Sequence, residues 1–142
     1  MKLPDVKLLL YAMDEFSPHH GRAKAWLDET LSGTEPVGFT WSVVLAFVRL
    51  ITKSQLSSHP LSVSEAFGIV EGWLEQPCAE LVHPTERHLP VLRGFLEQAG
   101  TADNLTTDAH LAALAIEYGG EVYSADSDFR RFSGLRWTNP LS

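Results

Sequence analysis

Four aspartates stand where a folded chain could gather them into one cluster: Asp5, Asp108, Asp126 and Asp128. Clustered carboxylates repel one another, so such a group needs shifted pKa values, arginine partners or bound cations. Hard divalent cations such as Mg²⁺ and Mn²⁺ prefer oxygen ligands of this kind. Two such ions can activate water and stabilise the oxygens of a phosphodiester under in-line attack. The four acids therefore indicate a candidate metal site for phosphodiester hydrolysis.

The strands predicted around these aspartates explain how they could meet. Residues 2–5 are typical of a short strand that ends at Asp5, and residues 121–125 of a strand that ends just before Asp126. Strand-like segments also occur at 37–40, 78–82 and 136–137, and helical segments separate them. This alternation predicts a parallel α/β sheet covered on both faces. The carboxyl ends of its strands open on one edge, so Asp5 and Asp126 are expected to converge there.

Start and stop signals place the helices between these strands. A helix is predicted over 18–31 with Ser17 as its N-cap, and the residues from Ser62 to Glu65 form a capping-box pattern. Residues 42–52 are apolar nearly all round, which predicts a buried helix. Helices over 85–99 and 106–118 are stopped by glycines. Turn-rich stretches, one of them at 57–60, are too short to be linkers, so a single domain over 1–142 is expected.

Each aspartate also has a purely structural explanation. Asp108 falls in the first turn of a predicted helix, where a negative charge is favourable. Asp5 could cap the helix that follows it, and Asp126 and Asp128 could be ordinary turn residues. Spacing alone leaves the structural and the metal-binding explanations open.

Composition narrows the class of protein. The 142 residues carry a net charge of −7, which argues against a broad basic face for nucleic acid. Without the four aspartates the charge is −3, so a nucleic acid that is engaged through bound cations remains possible. Cys78 is the only cysteine, which excludes an internal disulfide and thiolate zinc sites. The chain lacks a signal-peptide pattern and a long apolar run, so a cytoplasmic protein without a membrane partner is expected.

Three motifs in this order resemble those of PIN-domain proteins, particularly the VapC toxins of bacterial toxin–antitoxin pairs. Residues 3–12, LPDVKLLLYA, look like the opening LPDVNxLLYA of that family. Residues 108–115, DAHLAALA, look like its third-motif helix, and residues 124–129, SADSDF, look like its T-x-D-x-DF motif. The ending FSGLRW at 132–137 is similar to one subgroup. Together these motifs cover the whole chain.

The resemblance implies a three-layer α/β/α PIN-like domain with a central, mainly parallel sheet of four to five strands. It implies an Mg²⁺- or Mn²⁺-dependent endoribonuclease that hydrolyses structured RNA, such as tRNA or rRNA, with metal-activated water. It assigns Asp5, Asp108 and Asp126 as catalytic metal-site carboxylates and Asp128 as a ligand through water or a neighbouring group. Ser124, where the family often has threonine, would orient a carboxylate or a water. The resemblance also implies a homodimer and a VapB-type antitoxin that blocks the cluster with a basic segment; no direct DNA binding by this chain is expected.

One position departs from the family pattern. Many members have a glutamate in an E-F-x-R pattern after the second strand, and this chain has Ala46, Phe47, Val48 and Arg49 there. Ala46 cannot bind a metal, so one ion or two could be held. The alternative function is a weak or inactive PIN domain that only binds antitoxin or RNA. Asp103 is a possible substitute ligand because its loop could fold over the strand edge.

Other side chains have weaker assignments. Arg49 and Arg130 could contact RNA phosphates, since a guanidinium pairs two oxygens; alternatively they pair with acids or face solvent. His110 is expected to be a surface or packing residue rather than a general base. A phosphatase-like enzyme with an aspartate nucleophile is disfavoured, because Asp5 is followed by Val6 rather than by a second aspartate two residues on.

Overall fold

A central parallel sheet organises the protein, which is described here from a computed structural model covering residues 1–53 and 59–142. The sheet has five strands in the order β3-β2-β1-β4-β5, every neighbouring pair being parallel. The strands are β1 (Lys2–Pro4), β2 (Val37–Thr40), β3 (Ala79–Val82), β4 (Glu121–Tyr123) and β5 (Arg136–Thr138). This architecture confirms the predicted α/β class. The turn-rich stretch predicted at 57–60 lies partly outside the described residues.

Helices connect the strands and cover the sheet. They are α1 (Val6–Met13), α2 (His20–Ser32), α3 (Trp41–Ile51), α4 (Val63–Leu74), α5 (His88–Ala99) and α6 (Thr106–Glu117). Short 3₁₀ helices occur at Asp103–Leu105 and Ser127–Arg131. Across the described ranges, no helix combines the length and the apolar character needed to cross a bilayer.

Helix starts follow the capping chemistry in part. The capping box at Ser62 and Glu65 forms as predicted, with reciprocal bonds of 3.0 and 3.1 Å. The predicted start of α2 is wrong by two residues, because the Ser17 hydroxyl accepts a bond from the His19 amide and closes a turn before the helix. The predicted start of α5 at 85 is wrong as well, since Thr85 instead bonds to Glu117.

Helix α3 is not buried all round, contrary to the prediction. Val43, Val44 and Phe47 pack inward, but Trp41 and Leu45 are 47% and 60% exposed. One side of this apolar helix is therefore exposed, because its neighbours α1, α4 and β2 cover only the other side.

The core fixes the elements that carry the aspartates. Helix α6 packs on α5 and β4, and its alanines Ala109, Ala112 and Ala113 have no exposed surface. Close packing of this kind holds the first turn of α6 in place. At the start of β4, a Cβ on Gly120 would lie 2.6 Å from Leu3 Cδ1 and 2.9 Å from the Met1 carbonyl oxygen. Glycine at this position therefore allows the close approach of β4 to β1.

Candidate metal-binding carboxylate site

The ends of β1 and β4 bring the first two site residues together. Strands β1 and β4 end at the same height in the sheet, since Pro4 lies opposite Tyr123. The Asp5 amide donates to the Tyr123 carbonyl at 2.9 Å. Ser124 directly follows β4, and its hydroxyl donates to Asp5 Oδ2 at 2.7 Å. The predicted strand end at residue 5 is one residue too long. Asp5 is the N-cap of α1, its Oδ1 accepting from the Val6 amide at 2.8 Å.

Ser124 joins two of the aspartates through one buried hydroxyl. The residue has no exposed surface, and its Oγ also accepts from the Asp126 amide at 3.0 Å. Its carbonyl oxygen accepts a bond from Trp137 Nε1 at 3.0 Å, which ties this turn to β5. Hydrogen bonds to Asp5 after β1 and to Trp137 on β5 therefore fix the turn after β4.

Asp126 and Asp128 lie on the turn that follows. Asp126 caps the short helix Ser127–Arg131, its Oδ1 accepting from the Asp128 amide at 2.9 Å. Phe129, which is 1% exposed, anchors this helix in the core. The capping and turn explanations for Asp5, Asp126 and Asp128 are thus correct locally, and they do not exclude a shared site.

Three of the carboxylates come within ligand distance of one another. One oxygen from each of Asp108, Asp126 and Asp128 lies within 4.8 Å of the others. Asp108 is in the first turn of α6 and partly buried, and Asp128 is exposed. Asp5 lies beside this group, bonded to Ser124 and close enough for its charge to act on Asp108.

The pKa values of two of these aspartates are raised because the negative charges are gathered and partly buried. Burial, and then the negative charges of Asp5, Asp126 and Asp128, raise the pKa of Asp108 to about 6. Burial also raises the pKa of Asp5, although the hydrogen bond from Ser124 opposes that effect. A bound cation would relieve both costs.

The donor set fits a hard divalent cation. All the offered atoms are carboxylate oxygens, the ligands that Mg²⁺ and Mn²⁺ prefer. Both oxygens of Asp5 accept one protein hydrogen bond each, and each retains a further lone pair. Asp5, Asp108, Asp126 and Asp128 could therefore hold a metal together.

The remaining predicted site residues are placed differently. Arg49 is exposed on α3, and within 1–53 and 59–142 no carboxylate forms an ion pair with it. Arg130 lies over the Trp137 ring at 5.3 Å, while its neighbour Arg131 is 4.0 Å from Asp128. Asp103 is exposed with a φ of 35°, and it is not a member of the carboxylate group.

Glu117 belongs to a separate, partly buried hydrogen-bond network. Its Oε1 accepts from the Thr85 amide and hydroxyl at 2.8 and 2.6 Å, and its Oε2 lies 2.5 Å from His88 Nδ1. His88 Nε2 is in turn 2.8 Å from His110 Nδ1. These bonds join α5 to α6, so His110 packs in this network instead of facing the aspartates.

Lys7 is a site residue that the sequence reasoning missed. It lines a pocket together with Asp126, and its positive charge opposes in part the rise in the pKa of Asp5 and Asp108. The one available signal was that Lys7 occupies the position of asparagine in the motif LPDVNxLLYA.

A parallel α/β sheet with acidic side chains at the carboxyl ends of its strands is the arrangement expected of a PIN domain. A family model described as PIN domain matches residues 2–135. Ribonuclease VapC37 of Mycobacterium tuberculosis is 49% identical over 140 residues, which cover 99% of this chain and 97% of that relative. Ribonuclease VapC33 of the same species is 43% identical over 141 residues, covering 99% of both chains.

A solved structure has the same fold. The crystal structure of VapBC2 from Rickettsia felis bound to a DNA fragment from its promoter aligns with a TM-score of 0.71 and 16% identity, covering 97% of each chain. The chain therefore belongs to the VapC family of PIN-domain proteins, as the resemblance predicted.

Proposed function

We propose that this protein is a metal-dependent endoribonuclease, the toxin of a toxin–antitoxin pair. The observation that carries the proposal is the set of three carboxylate oxygens, from Asp108, Asp126 and Asp128, within 4.8 Å of one another. Two relatives that align over nearly the whole chain are named ribonucleases, which supports RNA as the substrate. Structured RNA such as tRNA or rRNA is the proposed target.

The residues of the chain have distinct roles in this proposal. Asp5, Asp108 and Asp126 would hold Mg²⁺ or Mn²⁺, with Asp128 completing the set directly or through water. When bound, the metal lowers the pKa of an attacking water and offsets charge on the phosphate. Ser124 fixes the Asp5 carboxylate and the Asp126 backbone through one hydroxyl. This fixed geometry limits the reorganisation needed when RNA arrives.

A second candidate function follows from Ala46. Its methyl group, on the half-buried side of α3, offers no ligand where many family members have glutamate. Fewer ligands favour one bound ion over two, and a weakly active or inactive domain would only bind antitoxin or RNA. Asp103 is not among the three grouped carboxylates, so the proposal does not use it as a replacement ligand.

A VapB-type antitoxin and a second copy of this chain are the proposed partners. Family membership supports the antitoxin, and exposed apolar side chains such as Trp41, Leu45 and Leu89 offer surface for protein contacts. Direct DNA contact by this chain is not part of the proposal. The cytoplasmic location and the single domain over 1–142 stay predictions.

RNA cleavage by purified, antitoxin-free protein tests the proposal. We expect cleavage of total cellular RNA with Mg²⁺ or Mn²⁺, none with EDTA, and none by Asp5→Asn. Glu86→Gln, which neutralises an exposed carboxylate, is the matched control and should cleave normally. Equal cleavage by Asp5→Asn would contradict the mechanism, and a folded, metal-loaded protein that cleaves no RNA would favour the binding-only alternative.

A further inference from the structure

Lys7 is a positive charge placed beside the carboxylates without being neutralised by them. It is exposed in the first turn of α1, two residues after Asp5, and its charge acts on Asp5 and Asp108. Within the described residues, no carboxylate oxygen lies within 4.0 Å of its amine. An ammonium group held near acids without an ion pair remains available to a ligand.

A polar pocket adjoins this ammonium group. Lys7, Tyr11, Asp126 and Ser127 line it together with Ala125, and its volume is about 270 Å³. The Tyr11 hydroxyl has no hydrogen-bond partner in residues 1–53 and 59–142. The pocket shares Asp126 with the candidate metal site, so a strand that lies on the carboxylates passes its mouth.

We propose that Lys7 and Tyr11 form a subsite for a backbone phosphate of the RNA, next to the phosphate that is cleaved. This inference rests on the proposed ribonuclease function and adds a substrate-binding position to it. The Lys7 amine would donate to a non-bridging phosphate oxygen, and Asp126 connects the pocket to the candidate metal site because it belongs to both. The subsite makes Lys7 a binding residue rather than a catalytic one.

The other basic residues near the site are less available. Arg131 is 4.0 Å from Asp128, and Arg130 lies over the Trp137 ring. In a chain with a net charge of −7, one well-placed ammonium group then has a large share in holding RNA.

Binding of a short fluorescein-labelled RNA in Ca²⁺, followed by anisotropy, tests the subsite beside steady-state cleavage in Mg²⁺. Lys7→Gln should weaken RNA binding roughly two- to fivefold, in the range of one exposed charge contact. It should also reduce the slope of log affinity against log salt by about 0.7, the value for one phosphate contact on a single strand. Lys7→Arg should restore most of both, since it keeps the charge.

The kinetic pattern separates binding from chemistry. Lys7→Gln should raise KM and change kcat little, because the contact is the same before and during the reaction. Mg²⁺ affinity should not fall, since removing an ammonium group removes repulsion of the cation. Lys24→Ala, an exposed lysine paired with Asp28 on α2, is the control and should leave binding and slope unchanged.

The outcomes distinguish the subsite from the proposed function. Wild-type protein that neither binds nor cleaves RNA contradicts the ribonuclease proposal and the subsite with it. If wild-type protein cleaves RNA and Lys7→Gln matches it in affinity and salt slope, only the subsite is overturned. A fall in kcat at unchanged KM would also overturn it, because Lys7 would then act on the reacting phosphate.

Discussion

Replacing Asp108 by asparagine should stabilise the metal-free protein, although it removes a proposed metal ligand. The pKa of Asp108 is raised from 3.8 to about 6 by burial and by Asp5, Asp126 and Asp128. A carboxyl with a higher pKa in the folded state holds its proton more tightly when folded. Wild-type stability therefore falls as pH rises from about 4 to about 6, and the full cost is present above pH 6. Asparagine has no charge and avoids this cost.

The size of the gain follows from the same values. The difference between 3.8 and about 6 corresponds to roughly 3 kcal/mol in the free energy of unfolding. Asp108 is only partly buried, so solvent screening reduces this to about 1–1.5 kcal/mol. The variant also loses a favourable charge in the first turn of α6, which costs about 0.3–1 kcal/mol. The expected net gain at pH 7.5 is about 0.6 kcal/mol, within limits of about 0 and about 1.2 kcal/mol.

Urea unfolding in EDTA at pH 7.5 and at pH 4 measures this effect. The gain of Asp108→Asn should appear at pH 7.5 and vanish near pH 4, where the wild-type carboxyl is largely protonated. Glu86→Gln, at an exposed acid, should show no such pH dependence. Mg²⁺ should stabilise wild-type protein and leave the variant nearly unchanged, because a ligand that binds only the folded state stabilises it. A variant less stable than wild type in EDTA at pH 7.5 would refute the electrostatic reasoning.

Three further predictions concern two hydrogen-bonded side chains and the protonation of Asp108. Ser124→Ala should lower the free energy of unfolding by about 1–2 kcal/mol, because Asp5 loses a buried hydrogen bond, and urea denaturation at pH 7.5 measures it. Glu117→Gln should lower the free energy of unfolding by about 1–3 kcal/mol at pH 7, because the bonds to Thr85 weaken. The pKa of wild-type Glu117 is lowered, so the difference should shrink only at acid pH, where this carboxylate gains a proton. Mg²⁺ affinity, measured by calorimetry, should rise as Asp108 loses its proton around pH 6 and should level off once this carboxyl is fully ionised. A flat profile from pH 5 to 7 would contradict this.

Sequence patterns predicted the elements that alternate clearly. The parallel sheet, the capping box at Ser62 and the glycine stop of α5 at Gly100, whose φ is 76°, depend on local signals that tertiary packing did not override. The convergence of Asp5 and Asp126 on one edge followed from the general geometry of parallel sheets. These parts of the site could be predicted from the sequence because they depend on where the strands end.

The parts that could not be predicted depend on contacts between distant residues. The start of α5 is set by Glu117, 32 residues from Thr85, and nothing near residue 85 indicates that partner. The exposed side of α3 depends on where α1, α4 and β2 pack against it, which an all-apolar pattern does not encode. The proposed role of Lys7 depends on the three-dimensional proximity of α1 to the turn after β4.

Parallel measurement of bound metal and RNA cleavage on the same samples tests the central claim most directly. Mn²⁺ would be titrated into wild-type protein and Asp126→Asn, with occupancy followed by electron paramagnetic resonance and cleavage by gel under single-turnover conditions. The account predicts that wild-type cleavage rises in proportion to bound Mn²⁺, and that Asp126→Asn loses both while staying folded. Full cleavage by Asp126→Asn, or by wild-type protein stripped of metal, would contradict it.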